Sequence, residues 1–431
     1  MKGSSLAVYV SGAYCGELTE NRYGALSFAY DRGYDGVPLS LSMPVGLARY
    51  GDRVVRPYLM GLLPDNQETR VAIGAPFGVS GDNPFRLLRI VGRDCPGAIQ
   101  ILEESDPVPA EDSTSDLIAL SEGDVERRLA EVKENAAFAW TGVARSEGRW
   151  SLGGCQAKIA LRYQGGTWHE CRGAAATTHI VKPGATGFDS QALVEYLSMK
   201  ISREIGLPAA EVDYRSFGRE EAIVVTRYDR AFVADGTVHR LHQEDLCQAM
   251  GVFPQAKYAD QGGPSTPGII SLLKETGGNA RENVYRFILY LFFNYLIGAT
   301  GAHAKNHALL HVGRDDVRLA PLYDVASIAP YRSLAPTQRK PLRAALSIGG
   351  ENRFGMVGSR NVESMIEAND LEDLGLGADL LCERLEVMAR LVPEAAERVV
   401  GAAGEMPGIE RVGSPLVREI AANCRRTREL L

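Results

Sequence analysis

The sequence predicts an α+β protein in which a strand-rich first part precedes a mainly helical second part. Residues 1–105 contain short apolar and aromatic runs separated by Gly and Asn turn signals, as hairpins do. Short strands return between 150 and 230 around one amphipathic helix at 192–206, which Gly206 and Pro208 end. From about residue 240 the pattern is helical. Strands followed by helices indicate two lobes with a cleft between them.

Local composition predicts further elements and the boundaries between parts. The segment ESDPVPAEDSTSD at 104–116 is acidic, contains proline and has few apolar residues, which is typical of a linker. The predicted elements are a short helix around 57–73, a polar helix at about 117–134, a deeply buried helix at 282–298 and amphipathic helices between 377 and 429. The predicted parts are a strand-rich subdomain at 1–105, a linker at 106–116, a small lobe at 117–230 and a helical large lobe at 231–431.

Composition limits the class of protein. The chain has 431 residues, 45% of them hydrophobic, and a net charge of −7, which argues against a surface that coats nucleic acid. Its seven cysteines are scattered without a CxxC pair, a pattern that indicates reduced thiols in a cytoplasm. We predict no signal peptide, and no membrane association, because the apolar run at 287–299 is shorter than the roughly 20 residues that cross a bilayer.

The most informative stretch is NYLIGATGAHAKNHALL at 294–310, followed by LAPLYDVAS at 319–327. Protein kinases place an Asp base five residues before a metal-binding Asn, and a later Asp binds magnesium. Asn306 and Asp324 fit the second and third positions, whereas the first is Gly301. Because glycine has no side chain, it cannot accept the proton of a substrate hydroxyl. The sequence therefore predicts ATP and Mg²⁺ binding without the catalytic base.

Two further features fit a nucleotide site. The loop SLGGCQAK at 151–158 has adjacent glycines whose N–H groups can approach phosphate oxygens, although such a pair is also common in hairpin turns. Lys182 lies in an apolar strand and needs a charged partner if it is buried, either Glu195 on the following helix or the phosphates of ATP. The alternative is a solvated lysine at a sheet edge.

The segment VVTRYDR at 224–230 lies where the two lobes would join. Main-chain groups of Thr226 to Tyr228 can hydrogen-bond an adenine edge, and Asp229 can accept from ribose hydroxyls. An Asp after an aromatic residue is equally consistent with a turn or a helix cap.

Three histidines, His303, His307 and His311, recur every four residues and raise the alternative of a zinc site. The stretch lacks the Glu of an HExxH motif and follows glycines that favour a loop. We expect instead that His303 supports the catalytic loop and that Lys305 reaches a phosphate. Neither GxSxG nor GxxxxGK[ST] occurs, so serine hydrolases and P-loop NTPases lack their usual signatures.

At this point the chain resembles the HipA family, the serine/threonine-kinase toxins of bacterial HipB–HipA toxin–antitoxin pairs. Residues 1–105 resemble the domain that precedes the kinase core in full-length members. The matching pieces, in family order within 150–330, are SLGGCQAKIAL, TTHIVKPG, EYL…REIGLPAAEV, TRYDR, RLHQEDLCQAMGV, KYADQGGPS, LIGATGAHAKN and LAPLYDVAS.

The resemblance implies a protein-kinase-like fold, ATP and Mg²⁺ as cofactors, and Ser151 as the site of autophosphorylation. It implies that Asn306 and Asp324 hold the metal. The implied nucleotide contacts are Gly153, Gly154, Cys155, Gln156, Lys158, Lys182, Thr226, Arg227, Tyr228, Asp229, His303, Ala304, Lys305, Asn306, Tyr323 and Asp324. The implied partners are a helix-turn-helix antitoxin similar to HipB, which supplies most of the DNA binding, and a protein substrate among the aminoacyl-tRNA synthetases.

One departure from the family matters most, because Gly301 stands where the family has its catalytic Asp. Two explanations are open: a disarmed version of an active toxin, or a natural pseudokinase. Three hypotheses follow. The chain is an impaired kinase toxin, a non-catalytic module that binds ATP and helps an antitoxin repress its operator, or a metal-dependent hydrolase that uses the three histidines.

Overall fold

The computed structural model describes residues 4–46, 49–106, 112–136, 150–332 and 342–431. These residues form two compact units that interleave along the chain. The first unit contains Met1–Pro183, Arg215–Gln255 and Ala308–Val317. The second unit contains Gly184–Tyr214, Ala256–His307 and Arg318–Leu431.

The described strands lie mostly in the first half of the chain, as predicted. They are β1 Ser4–Val10, β2 Ala13–Glu20, β3 Leu26–Tyr30, β4 Tyr50–Gly51, β5 Ile99–Leu102, β6 Leu117–Leu120, β7 Ile159–Gln164, β8 Thr167–Cys171, β9 His179–Lys182, β10 Val212–Phe217, β11 Glu220–Thr226, β12 Arg230–Phe232, β13 Val238–Arg240, β14 His242–Asp245, β15 Ala308–His311, β16 Val317–Leu319, β17 Arg343–Ile348 and β18 Glu351–Arg353.

The longest described helices lie in the second half. The α-helices are α1 Asp52–Gly61, α2 Gln67–Gly74, α3 Pro84–Val91, α4 Glu122–Glu134, α5 Gln191–Glu204, α6 Leu246–Ala249, α7 Thr266–Lys274, α8 Ala280–Ile297, α9 Ser359–Ala368, α10 Ala378–Ala402 and α11 Ile409–Leu430. No helix among these described segments is both long enough and apolar enough to cross a bilayer.

The N-terminal sheet has the strand order β4-β3-β2-β1-β5 and is antiparallel wherever its pairings are described. Leu6, Val8 and Val10 are buried at a spacing of two, so that one face of β1 contributes to the core. The predicted single helix at 57–73 is wrong, because two helices, α1 and α2, occupy this region. The helical conformation is interrupted between them at Pro64, and the side chain of Asn66 caps the second helix.

The second sheet, in the order β10-β11-β9-β7-β8-β6, contains the strands next to the glycine-rich loop. Lys182 ends the central strand β9 and pairs with Ile223 of β11. The predicted helix at 117–134 is partly wrong. Leu117–Leu120 forms an edge strand, and a capping box between Ser121 and Asp124 starts the helix only at Glu122.

Residues 107–111 of the predicted linker lie outside the described residues. The side chain of the next residue, Asp112, is buried in the first unit, where its carboxylate is 2.8 Å from the guanidinium of Arg162. Asp112 also accepts hydrogen bonds from the N–H groups of Ala176 and Val238. This end of the segment is therefore part of a packed core, while the linker boundaries stay a prediction.

Helix α8 is the predicted buried helix, and the structure confirms it over Ala280–Ile297. Two thirds of its residues are buried, which agrees with the mainly apolar sequence of its second half. It ends at Gly298, whose positive φ of 74° is readily adopted by glycine. The predicted helix at 192–206 and the C-terminal amphipathic helices are confirmed as α5, α10 and α11.

Candidate active site

In the second unit, Asn306 connects the two segments that carry the predicted catalytic residues. Its side-chain amide nitrogen donates to the carbonyl oxygen of Gly301 at 2.9 Å and to that of Asp324 at 3.2 Å. Because both contacts use the nitrogen, the amide oxygen remains as the acceptor. Side-chain amide oxygens and carboxylate oxygens, the types that Asn306 and Asp324 carry, are ligands that Mg²⁺ accepts.

Asp324 adopts a left-handed backbone conformation with φ of 56°, which for a residue other than glycine costs on the order of 1–3 kcal/mol. Neighbouring contacts stabilise it. The Tyr323 hydroxyl donates to the Lys305 carbonyl at 2.7 Å, so residues 323 and 324 are both bonded to the short turn at 304–306. Such strain is common at metal- and ligand-binding positions.

Ser327 is a second junction in this unit. Its hydroxyl donates to the carbonyl of Ile297 at 2.5 Å, and its N–H donates to the Ser198 hydroxyl at 3.2 Å. The N–H of Ile328 donates to the Gly298 carbonyl at 3.0 Å. These bonds fix the segment after Asp324 to the end of α8 and to α5.

Gly301 lies in the loop with open space beside it. A Cβ atom built there meets no heavy atom within 4 Å, and the residue does not have the positive φ that would favour glycine. Its carbonyl oxygen accepts from Asn306 and, at 2.8 Å, from the N–H of His303. The loop therefore keeps its hydrogen bonds through the main chain and has room for a small side chain at this position.

His303 packs edge-on against the ring of Tyr258, with 4.9 Å between ring centroids. Burial, assisted by the charge of Lys257, lowers the pKa of His303 to about 4, so the imidazole is neutral at pH 7. The position fits the predicted role of supporting the loop from within. Ala304 and Lys305, also predicted nucleotide contacts, lie in the adjoining turn and are buried.

The three histidines do not share a helix. His307 packs against Phe287 in the second unit, and burial lowers its pKa to about 3. His311 lies on β15 in the first unit, where its Nε2 is 2.9 Å from a Glu244 carboxylate oxygen. Within the described ranges, no group of three or more His, Cys, Asp or Glu side chains is arranged to hold a metal ion.

In the first unit, the glycine-rich loop is seated on residues of the N-terminal part. Ser151 is fully buried, and its hydroxyl donates to the carbonyl of Leu62 at 2.5 Å. Its N–H donates to the Asp94 carbonyl at 2.8 Å. Lys158 donates to the carbonyl of Gly153 at 2.6 Å and so closes the loop on itself.

The centre of the loop is Gly154, whose φ of 98° favours glycine. Its carbonyl accepts from the N–H of Asp65 at 3.0 Å, and its own N–H donates to the Asp65 carboxylate at 3.3 Å. The following residue, Cys155, is exposed, and Gln156 is half-buried. The predicted phosphate-facing amide is therefore in contact with an acidic side chain of the N-terminal part.

Lys182 is buried at the end of β9, with 5% of its surface exposed. Glu195, its predicted partner, is buried on α5 of the second unit. Both residues take part in electrostatic or hydrogen-bonding interactions. The pairing of Lys182 with Glu195 and with phosphate stays a prediction.

The predicted hinge begins at Thr226, the last residue of β11. The N–H of Arg227 donates to the Thr178 carbonyl at 2.9 Å, so this main-chain donor already has a partner. The Tyr228 hydroxyl donates to the side-chain oxygen of Gln243. Contacts between this segment and an adenine stay a prediction.

The side chains that follow the hinge form a buried ionic network in the first unit. Arg227 donates to both carboxylate oxygens of Asp229, at 3.0 and 2.8 Å, and the Gly97 N–H donates to one of them at 2.7 Å. Arg230 donates to Asp94 at 2.9 Å. Burial alone would raise the pKa of Asp229, but Arg227 and Arg230 lower it. Both oxygens of Asp229 are thus engaged, and its predicted contact with a ribose stays untested.

Sequence reasoning missed three residues that organise these segments. They are Asp94, which binds Arg227, Arg230 and Arg240; Asp65, which contacts the glycine-rich loop; and Ser327. Ser327 belongs to the quoted LAPLYDVAS motif and was open to prediction. Asp65 and Asp94 lie far from their partners in sequence and give no local signal.

Two family models match the chain, one over each part. The model for the HipA N-terminal domain matches residues 6–102, and that for the HipA-like C-terminal domain matches residues 150–402. The chain is 32% identical over 406 residues to "Putative kinase Y4mE" of Sinorhizobium fredii, covering 92% of this chain and 91% of that protein. It is 26% identical over 416 residues to the serine/threonine-protein kinase toxin HipA of Shewanella oneidensis, covering 93% and 90%.

A solved structure has the same fold. It contains Shewanella oneidensis HipA with HipB and its operator DNA, and the match has a TM-score of 0.81 at 24% identity, covering 99% of this chain and 98% of that one. This match confirms the predicted α+β fold of HipA type. With both family models and relatives that match over most of their length, the chain belongs to the HipA family.

Proposed function

We propose that the chain binds ATP with Mg²⁺ and is a serine/threonine protein kinase of toxin type whose phosphoryl-transfer step is impaired by Gly301. The single observation that carries this proposal is the bridge from Asn306 to both Gly301 and Asp324. It joins the side chain of Asn306 to the main chain of the segment that carries Asp324 and to the loop where the family has its base. Homology to the kinase toxin of Shewanella oneidensis supports the reaction class.

Asn306 and Asp324 are the proposed metal ligands, because amide and carboxylate oxygens suit Mg²⁺ and the Asn306 nitrogen is used elsewhere. Bound Mg²⁺ would supply neutralisation of the triphosphate charge. Lys182 and Lys305 supply further positive charge. Neutral His303, packed on Tyr258, keeps the loop in place.

The remaining nucleotide contacts are proposed from the family resemblance. The glycine-rich loop covers the phosphates through Gly153, Gly154, Cys155, Gln156 and Lys158. The main chain of Thr226 to Tyr228 receives the adenine.

Impaired transfer follows from the missing base. A positioned general base contributes about 10²- to 10⁴-fold to a rate. Binding depends on other residues, so nucleotide affinity should persist where turnover is lost. The open space beside Gly301 and its ordinary φ support the view that glycine removes the base without rearranging the loop.

Ser151 is the proposed site of autophosphorylation, and it requires movement of the loop. The hydroxyl is buried and donates to Leu62, so the loop must leave its seat before the oxygen can reach a phosphoryl donor. A phosphate group there would carry close to two negative charges and oppose return to the closed position. The protein substrate that we propose, an aminoacyl-tRNA synthetase, rests on the family resemblance.

A second function is compatible with the first. The solved relative is a complex of HipA with HipB and operator DNA, which supports a helix-turn-helix antitoxin as partner and DNA binding mainly through it. A chain that lacks the base can serve as an ATP-binding co-repressor. In that case antitoxin–operator affinity would rise on addition of this chain and would not change with Gly301→Asp.

The test is a phosphotransfer assay with the chain and Gly301→Asp, using labelled ATP and mass spectrometry of Ser151. We expect Mg²⁺-dependent ATP binding by both proteins and labelling of Ser151 mainly in the variant. Gly301→Asn is the matched control, because it has the same size but cannot act as a base. A variant that binds ATP and yet labels neither itself nor any protein in a bacterial extract would refute the kinase assignment.

A further inference from the structure

We propose that Asp65, a residue of the N-terminal part, is a positioning residue of the nucleotide loop that competes with nucleotide phosphate for the N–H of Gly154. The inference rests on the proposed ATP binding and adds a residue that the family motifs do not contain. Under it, the N-terminal part lowers nucleotide affinity through a direct contact.

The contact between Asp65 and Gly154 has two hydrogen bonds. The Asp65 N–H donates to the Gly154 carbonyl at 3.0 Å, and the Gly154 N–H donates to the Asp65 carboxylate at 3.3 Å. Pro64 forms a parallel bridge with the same glycine. The loop thus pairs with the segment 64–65 as with a short strand. The Asp65 carboxylate accepts from the Gly154 N–H, the type of group that contacts phosphate in phosphate-binding loops.

The competition follows from the chemistry of the amide. A peptide N–H has a single proton, and while it donates to a carboxylate it cannot donate fully to a phosphate oxygen. The carboxylate is itself an anion and repels a triphosphate that approaches the same amide. Nucleotide binding must therefore displace the Asp65 side chain, even if the main-chain bond from Asp65 to Gly154 remains.

The position of Asp65 is fixed by buried contacts and is not that of a mobile surface acid. Arg70 is 3% exposed, and its guanidinium donates to the carbonyls of Pro64 and Asp65, both at 2.8 Å, and to that of Gly81 at 2.9 Å. Asn66 caps α2 directly after it. Since the backbone on both sides is held, the carboxylate stays beside the loop.

A second contact seats the loop on the same segment. Ser151, three residues before Gly154, donates its buried hydroxyl to Leu62. The loop is therefore attached at two positions, Ser151 and Gly154, to residues 62–65. Substitution of Asp65 removes the carboxylate contact and leaves both the main-chain bond of residue 65 and the Ser151 hydroxyl bond in place.

The test compares Mg²⁺–ATP affinity, measured by calorimetry on the full chain, for the unsubstituted protein and Asp65→Ala. Loss of one competing hydrogen bond should tighten binding by about threefold to tenfold. Glu68→Ala is the matched control, because it removes the same charge from an exposed side chain three residues away that has no bond to the loop. Melting temperature is recorded for each protein to exclude a change in folding.

Cys155 gives a second readout that does not depend on nucleotide. It is the exposed cysteine next to Gly154, whereas five cysteines are buried and Cys382 is half-buried. In a Cys382→Ser background, the rate of Cys155 alkylation reports how firmly the loop is seated. We expect Asp65→Ala to raise this rate at least twofold and Glu68→Ala to leave it unchanged.

The outcomes separate this inference from the proposed function. Tighter ATP binding by Asp65→Ala alone supports the inference. Unchanged or weaker binding by Asp65→Ala, with clear binding by the unsubstituted chain, overturns it and leaves the proposed function intact. If the unsubstituted chain and both variants all fail to bind Mg²⁺–ATP, the proposed function itself fails.

Discussion

Asn306 donates one side-chain nitrogen to the carbonyl oxygens of both Gly301 and Asp324, two residues that are 23 positions apart in the chain. One amide thus sets the distance between the loop that lacks a base and the segment that carries a carboxylate. Substitutions at these positions should separate nucleotide binding from phosphoryl transfer.

Gly301→Asp should raise phosphotransfer without loss of stability. The added side chain enters open space, and the backbone is not in the left-handed region. We expect a gain of about 10²- to 10⁴-fold in the rate of phosphate incorporation and a melting temperature within a few degrees of the original. Gly301→Asn should have the same melting temperature as Gly301→Asp but not its phosphotransfer rate. An equal gain in rate with Asn would contradict the role of residue 301 as a base.

Asn306→Ala should weaken Mg²⁺-dependent ATP binding by about tenfold or more. The variant loses a proposed metal ligand together with two hydrogen bonds, each worth about 1 kcal/mol. Titration of ATP with Mg²⁺ and then with EDTA measures the metal-dependent part. Asn306→Asp, which keeps an oxygen ligand, should recover part of the affinity, and an effect of Asn306→Ala that persists in EDTA would point to a purely structural role.

Ser327→Ala should destabilise the second unit by about 1–3 kcal/mol, because it leaves the buried carbonyl of Ile297 without its donor. Urea unfolding gives the change in free energy. Ser414, exposed on α11, provides the control, and Ser414→Ala should change stability by less than about 0.5 kcal/mol. Because Ser327 follows Asp324 closely, we also expect a higher Mg²⁺ concentration for half-maximal ATP binding.

Asp94→Ala should be among the most destabilising substitutions in the first unit. The carboxylate is buried with Arg227, Arg230 and Arg240, which lower its pKa well below the usual range although burial alone would raise it. Removing one member of a buried ion network typically costs about 3–5 kcal/mol. Asp82→Ala removes an exposed carboxylate 3.9 Å from Arg70 and should cost less than about 1 kcal/mol.

Stability should fall steeply as the pH drops below about 6.5. Burial lowers the pKa of His179 and His303 to about 4 and that of His242 and His307 to about 3, from 6.5. Between these values the unfolded chain binds more protons than the folded one, so stability is present above pH 6.5 and is lost as the pH approaches 4. Each histidine contributes about 1.4 kcal/mol per pH unit to the slope.

His307→Phe provides the control for this pH dependence, because the ring packs among Phe287 and Tyr290 and needs no charge. Urea unfolding between pH 7.5 and pH 5 should show that the free energy of unfolding depends less steeply on pH in the variant, by the contribution of about one histidine. Equal slopes in the two proteins would mean that His307 titrates in the folded chain at an ordinary pKa.

The parts of the fold that sequence predicts are those with a local signal. The buried helix α8 has a long apolar run that only Asn294 interrupts, and it ends at Gly298; both features are visible in the sequence. The pattern around 57–73 predicts one helix because apolar residues lie at both of its ends, whereas Pro64 and the polar residues after it, including the cap at Asn66, divide it into two. At 117–120 the strand is specified by its pairing with β8, which a polar helical pattern downstream obscured.

The candidate site divides in the same way. Gly301, Asn306 and Asp324 belong to motifs with fixed spacing, and the two bonds of Asn306 agree with their predicted proximity. The contact of Gly154 with Asp65 joins residues 89 positions apart, and that of Asp229 with Gly97 joins residues 132 apart. Tertiary pairs of this kind leave no periodicity in the chain, so the contacts of the N-terminal part with these segments have no local signal in the sequence.

The empty space at Gly301 also bears on the history of the family. Codons for glycine and aspartate differ by one base whenever the third base is a pyrimidine. Since the surrounding backbone accepts either residue, a single mutation in either direction meets no steric barrier in this loop. Descendants of one gene can therefore gain or lose a carboxylate at position 301 while the rest of the loop stays the same.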